Sequence, residues 1–99
     1  MQSVYAESFV RDMGCTPQEW LGWLPEAVGP HPWTLGPNEA RVTLGDGGLH
    51  LRWAVLPPRV IALMRMPRLE VRFDFHGLTA EARYTFMKRF DLYMQRGGG

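Results

Sequence analysis

The side chains able to do chemistry in this sequence are few and scattered. Cys15 precedes Thr16-Pro17, where a helix start would lower a thiol's pKa. It has no Cys-x-x-Cys partner, and a lone cysteine most often serves as a small apolar filler. A single cysteine cannot close an internal disulfide, so nothing here needs an oxidising compartment. His31, His50 and His76 lie far apart and, with one Cys, match no zinc spacing; no metal and no cofactor is expected. Asp74 and His76 fall on one face of a strand two residues apart, a pair suited to moving a proton. The commoner reading is two polar residues on a wet surface. Gly45-Asp46-Gly47-Gly48 is rich in glycine but joins two strands, whereas a phosphate loop needs a following helix and a Gly-Lys-Ser or Gly-Lys-Thr. No catalytic set emerges, and the reading leans away from an enzyme.

Arginine is the other conspicuous residue type, with ten Arg to one Lys. Arg reads phosphates and base edges bidentately, which invites a nucleic-acid partner; codon bias explains the same skew. The formal charge is only +1, which argues against a histone-like polycation. That sum conceals a division. Residues 1–50 carry two Arg and six acids, net −4, and residues 51–99 carry nine bases and four acids, net +5. Such a split suits self-association or an acidic partner.

The tail Gln95-Arg96-Gly97-Gly98-Gly99 resembles the Arg-Gly-Gly ending of ubiquitin-like modifiers. The resemblance covers the tail alone. Those proteins place strands on both sides of a central helix, whereas here a long helix runs into the glycines, so nothing is carried over. A frayed helix stop is the preferred account.

The elements that must position these residues follow from periodicity. The 99 residues give one domain, and 45% apolar with 21% charged is ordinary globular composition. Glu7, Arg11 and Asp12 interrupt any signal-peptide core, and the longest proline-free apolar run, Val60 to Met64, is far short of the roughly 20 residues that span a bilayer. A cytoplasmic protein with no membrane partner is expected. Tyr5, Ala6, Phe9, Val10 and Met13 sit at helical spacing, so residues 3–28 read as a helical part, with a strand as the alternative for 3–13. Thr16-Pro17-Gln18-Glu19 is a capping box, followed by the face Trp20, Trp23, Leu24, Ala27 and Val28; Pro25 should kink or end that helix near Leu24. Residues 29–38, rich in Pro and Gly, read as a loop.

Over residues 39–76 apolar side chains alternate: Ala40, Val42, Leu44; Leu49, Leu51, Trp53, Val55; Leu69, Val71, Phe73, Phe75. Period two means strands with one buried face. Reversals centred on Asp46-Gly47, Pro57-Pro58 and Pro67-Arg68 give a four-stranded antiparallel meander in which Val60, Ala62, Met64 and Met66 also point inward. Thr79 caps a last helix over 79–96, with the stripe Ala82, Phe86, Met87, Phe90, Tyr93 and Met94. The whole is a two-layer α+β domain, helices on one sheet face and the other face open.

In that register the open face carries one row of Arg41, Arg52, Leu63 and Arg72, flanked by Thr43, His50, Arg65 and Glu70 on one side and Glu39, Ala54, Ile61 and Asp74 on the other. Arg41 and Arg52 come out directly opposed, a mildly destabilising arrangement. Arginines around exposed aliphatics have the composition of an interface. The competing reading is a solvated lattice in which Glu39, Glu70 and Asp74 neutralise the arginines. The candidate binding residues are therefore Arg41, Arg52, Arg72, Arg65, His50, Ile61 and Leu63, and the candidate partner is another protein or a second copy. Trp53, Phe73 and Phe75 point inward and leave the open face no stacking platform, which argues against nucleic acid. The remaining alternatives are weak nucleic-acid binding through the arginine face and a small ligand in an apolar pocket between the Trp20/Trp23 helix, the last helix and the sheet. A tightly filled core there would remove the pocket.

Overall fold

Thr16 and Glu19 form the capping box that their spacing requires: Thr16 Oγ1 accepts from the Glu19 amide at 3.1 Å, and Glu19 Oε1 accepts from the Thr16 amide at 2.9 Å. In the computed structural model, which describes residues 4–96, this box opens α1 (Pro17–Val28). Pro25 does not end the helix. It forfeits one backbone bond, but Ala27 and Val28 beyond it are fully buried, and that burial holds the last turn in place. The second helix, α2 (Ala80–Arg96), begins as expected at Thr79, whose Oγ1 accepts from the Ala82 amide. The fate of the helix stop at Gly97–Gly99 lies outside the described residues.

The strands are β1 (Ser8–Met13), β2 (Trp33–Gly36), β3 (Glu39–Leu44), β4 (Gly47–Ile61) and β5 (Met64–His76), in the order β1-β5-β4-β3-β2, every neighbour antiparallel. The fold is α+β with both helices on one sheet face, but the sheet has five strands and a different membership from the expected four.

Three departures have physical causes. First, residues 8–13 are a strand rather than a helix. Phe9, Arg11 and Met13 face the helices while Ser8, Val10 and Asp12 face away, and the pairing Ser8↔Asp74 through Met13↔Leu69 covers what would otherwise be the open edge of β5. Tertiary pairing here overrides a helical spacing too short to decide the matter. Second, part of the 29–38 loop is β2, joined to β3 by the two-residue turn Pro37-Asn38. Asn38 has φ 56°, the positive value a type II turn needs at its second central position.

Third, the proline pairs are not reversals. β4 and β5 form one long hairpin that turns at Ala62-Leu63, with Ala62 at φ 54°. Pro57-Pro58 and Pro67 meet across a bulge, where the register shifts between Leu56↔Arg68 and Arg59↔Met66. Proline cannot donate to a ladder, so a bulge in the outer part of a hairpin tolerates it. The expected separate strand 60–66 is instead split by the turn, its halves forming the outer ends of β4 and β5. Trp53 pairs with Val71, Leu51 with Phe73 and Leu49 with Phe75.

The first hairpin turns at Gly45-Asp46 instead of Asp46-Gly47, so Leu44 pairs with Gly47 and Val42 with Leu49. Partners change, but the register differs from the expected one by two residues, so every side chain keeps its face. Gly47 is held in the strand by close approach: a Cβ there would lie 2.3 Å from the His76 carbonyl oxygen.

The core is strongly aromatic. Phe9 stacks on Phe73 at 4.6 Å, Phe90 meets Phe73 edge-on at 5.5 Å, and Trp20 packs against both Trp53 (5.6 Å) and Phe90 (6.0 Å). Phe86, Met87, Phe90 and Met94 are the buried stripe of α2, with Tyr93 half-buried against them. The indole Nε1 of Trp20 is buried without a hydrogen-bond partner, the one polar cost among the described side chains of this core.

Candidate functional site

The open face of the sheet is built from the outward residues of β1, β5, β4 and β3. Across it one row reads Val10, Arg72, Arg52, Glu39 and the next Ser8, Asp74, His50, Arg41. Arg52, not Arg41, faces a like charge, namely Arg72. Carboxylates hold most of these groups. His50 Nε2 lies 2.7 Å from Glu39 Oε1, Arg52 Nη2 lies 2.7 Å from Asp74 Oδ2, and Arg41 reaches Glu39 at 3.9 Å. The Asp74 carboxyl is held below the usual carboxylate range by the Ser8 hydroxyl and then by Arg52; that of Glu39 is lowered chiefly by His50. These short pairs have the form of the neutralising lattice rather than of a vacant anion site.

Asp74 accepts from Arg52 on this face, and Ser8 and then Arg52 lower its pKa. Cys15 is fully buried, and burial followed by the nearby Glu19 pushes its thiol up, the opposite of an activated thiolate. Among the described residues no group of three or more His, Cys, Asp or Glu is placed to hold a metal ion, and no helix is long and apolar enough to cross a membrane. Trp20, Trp53 and Phe90 are in direct ring contact in the core between α1, α2 and the sheet.

Ile61, Leu63 and Arg65 do not lie beside those arginines. They belong to the outer part of the β4–β5 hairpin. Past the Glu39↔Arg52 pair β4 has left β3, and past Met13↔Leu69 β5 has left β1. Residues 56–68 therefore pair only with each other and project as an arm roughly 20 Å long. Leu63, at the turn, is 100% exposed; Val55 is 68%, Met64 66%, Val60 60% and Ile61 56% exposed, and Met66 is exposed beside them. Val55, Val60, Met64 and Met66 are thus surface residues, not the core residues that alternation implied. The bulge exchanges parity on β4, so Arg59, Ile61, Met64 and Met66 share one face of the arm, while Val60 and Arg65 share the other. Arg68 anchors the base of the arm through Asp12 Oδ2 at 2.6 Å.

At the other end of β4 lies a cleft of about 600 Å³. Leu44, Leu78, Ala82 and Phe86 form its apolar lining, with His31 and Thr85 among its polar groups. It is held between the β3–β4 turn, the start of α2 and the segment after α1. The sequence reading named Ile61 and Leu63 without the arm that carries them, and expected an apolar pocket between helices and sheet without this position for it. The signal for the arm was present: from Val55 to Met66 apolar residues occupy both parities, so no wet face is left. The cleft is assembled from three separate segments and left no local trace.

Comparison with protein-family models, with curated proteins and with solved structures returns no match.

Proposed function

We propose that this chain is a non-enzymatic assembly module that self-associates through the β4–β5 arm. The observation that carries this reading is the arm itself: Val60, Ile61, Leu63 and Met64, four large apolar side chains, are at least half exposed on a projecting two-stranded ribbon. Soluble domains seldom leave such a cluster uncovered. Pro57, Pro58 and Pro67 take three backbone donors out of the arm, which disfavours pairing along its edges and leaves its side chains as the contact. The open face contributes less, since Arg41, His50 and Arg52 are already engaged by Glu39 and Asp74.

Burying three of these side chains contributes on the order of 5 kcal/mol, against an association cost of about 4–15 kcal/mol. The expected association is therefore concentration-dependent. Light scattering on a sizing column at two concentrations tests it. Wild type should gain apparent mass as concentration rises, and Leu63→Glu should not, while far-UV circular dichroism of the two stays the same. A wild type that elutes as a monomer throughout would end this reading.

A further inference from the structure

Resting on that reading, we infer that the receptor for the arm is the cleft at the opposite end of a second copy, so that copies join head to tail. The two features sit at the two ends of β4. This strand begins beside Leu44 and Gly45 of the cleft wall and ends at Ile61 beside the arm tip. At about 3.3 Å per residue its 15 residues span the longest dimension of the molecule, 47 Å. No copy can reach its own cleft with its own arm.

The two surfaces are complementary in shape and chemistry. The arm ends in Ile61, Leu63 and Met64, a narrow apolar wedge; the cleft offers Leu44, Leu78, Ala82 and Phe86 as an apolar lining. At 600 Å³ the cleft is within the range that accepts several side chains.

Charge follows the same division. Residues 55–68 hold Arg59, Arg65 and Arg68 and no acid. Arg59 and Arg65 make no salt bridge among the described residues, and neither do Asp46, next to Gly45 of the cleft, and Glu81 on its wall. A wedge with arginines therefore meets an apolar slot with the carboxylate of Glu81 on its wall and that of Asp46 beside it. Arg89, the cation in the cleft wall, is turned to the Glu26 carbonyl at 3.3 Å and over the Tyr93 ring at 4.5 Å. Such a contact is heterologous: each copy gives its arm to one neighbour and its cleft to another, making a ring or an open chain.

The experiment uses two variants of the full chain. Leu63→Glu spoils the arm and keeps the cleft; Ala82→Trp fills the cleft and keeps the arm. Thr85→Trp, at an exposed position of α2 on the same wall, is a second blocking variant that spares the packing at Ala82. Each variant alone should run as a monomer. Mixed in equal amounts, an arm-dead and a cleft-blocked variant should form a dimer and nothing larger, because one arm and one cleft remain. If both blocking variants associate as wild type does while Leu63→Glu does not, the arm meets something other than the cleft. That result overturns the head-to-tail contact and leaves self-association by the arm standing. A monomeric wild type would overturn both.

Discussion

Tyr5, Arg11 and Asp91 join the two ends of the chain. Tyr5 Oη donates to Asp91 Oδ2 at 2.7 Å, and the Arg11 guanidinium lies on the same carboxylate and 5.3 Å from the Phe73 ring centre. Burial, then the hydrogen bond to Asp91, pushes the Tyr5 phenol up to about 12. The burial of Arg11 opposes its charge, but Asp91 outweighs that and raises its pKa. A phenol with a raised pKa in the folded state contributes stability below its ordinary value near 10. That contribution is lost as pH climbs from 10 through 12. Phenolate absorbance during an alkaline titration should therefore include a late step from Tyr5, and Tyr5→Phe should abolish it. Asp74 gives the opposite sign. Its lowered pKa stabilises the fold above the usual carboxylate range near pH 4, and that contribution disappears as pH falls further. Denaturant midpoints between pH 5 and pH 2, on the order of the acid range of such groups, should fall less steeply for Asp74→Asn than for wild type.

At the scale of elements, what was legible in the sequence was what local chemistry decides. Thr16 to Glu19, Thr79 and the stripe Phe86, Met87, Phe90, Met94 specify both helices, and the alternation from Ala40 to Leu44, Leu49 to Trp53 and Leu69 to Phe75 gives three strand segments with the right face buried. What stayed hidden depends on distant partners. Residues 8–13 become a strand because β5 needs a neighbour, 66 residues along at Ser8↔Asp74. Pro57-Pro58 and Pro67-Arg68 look like turns when read singly; only their mutual pairing turns them into one bulge. Of the candidate residues, His50, Arg41, Arg52 and Arg72 lie on the expected face but beside different partners, and Ile61, Leu63 and Arg65 lie on the outer part of the β4–β5 hairpin rather than among them. Two expected outcomes belong here. Gly47→Ala drives a methyl to within 2.3 Å of the His76 carbonyl, and thermal unfolding should show a loss of about 1–3 kcal/mol. Replacing Pro57, Pro58 and Pro67 together by Thr returns three backbone N–H groups to the arm, and turbidity on warming should rise faster than in wild type.

For the whole molecule, the separation of charge along the chain becomes a separation in space only in part. The acids Glu39 and Asp74 sit among arginines, whereas the arm is purely basic and the carboxylates of Asp46 and Glu81 lie at the far end. Association through arm and cleft should accordingly weaken as salt rises, because exposed charges attract over only about 10 Å at 0.1 M ionic strength. An increase in apparent mass with salt, measured by sedimentation, would indicate that the apolar contact acts alone.

The bond between Tyr5 and Asp91 spans 86 positions, and β1 has no partner until β5 exists. During synthesis the first strand therefore leaves the ribosome long before anything can pair with it. Phe9 and Met13 wait in an unfinished chain while α1, the sheet and most of α2 are translated. Non-local pairing of this kind closes late and leaves nascent chains prone to sticking. The beginning of this domain is thus the last part of it to be protected.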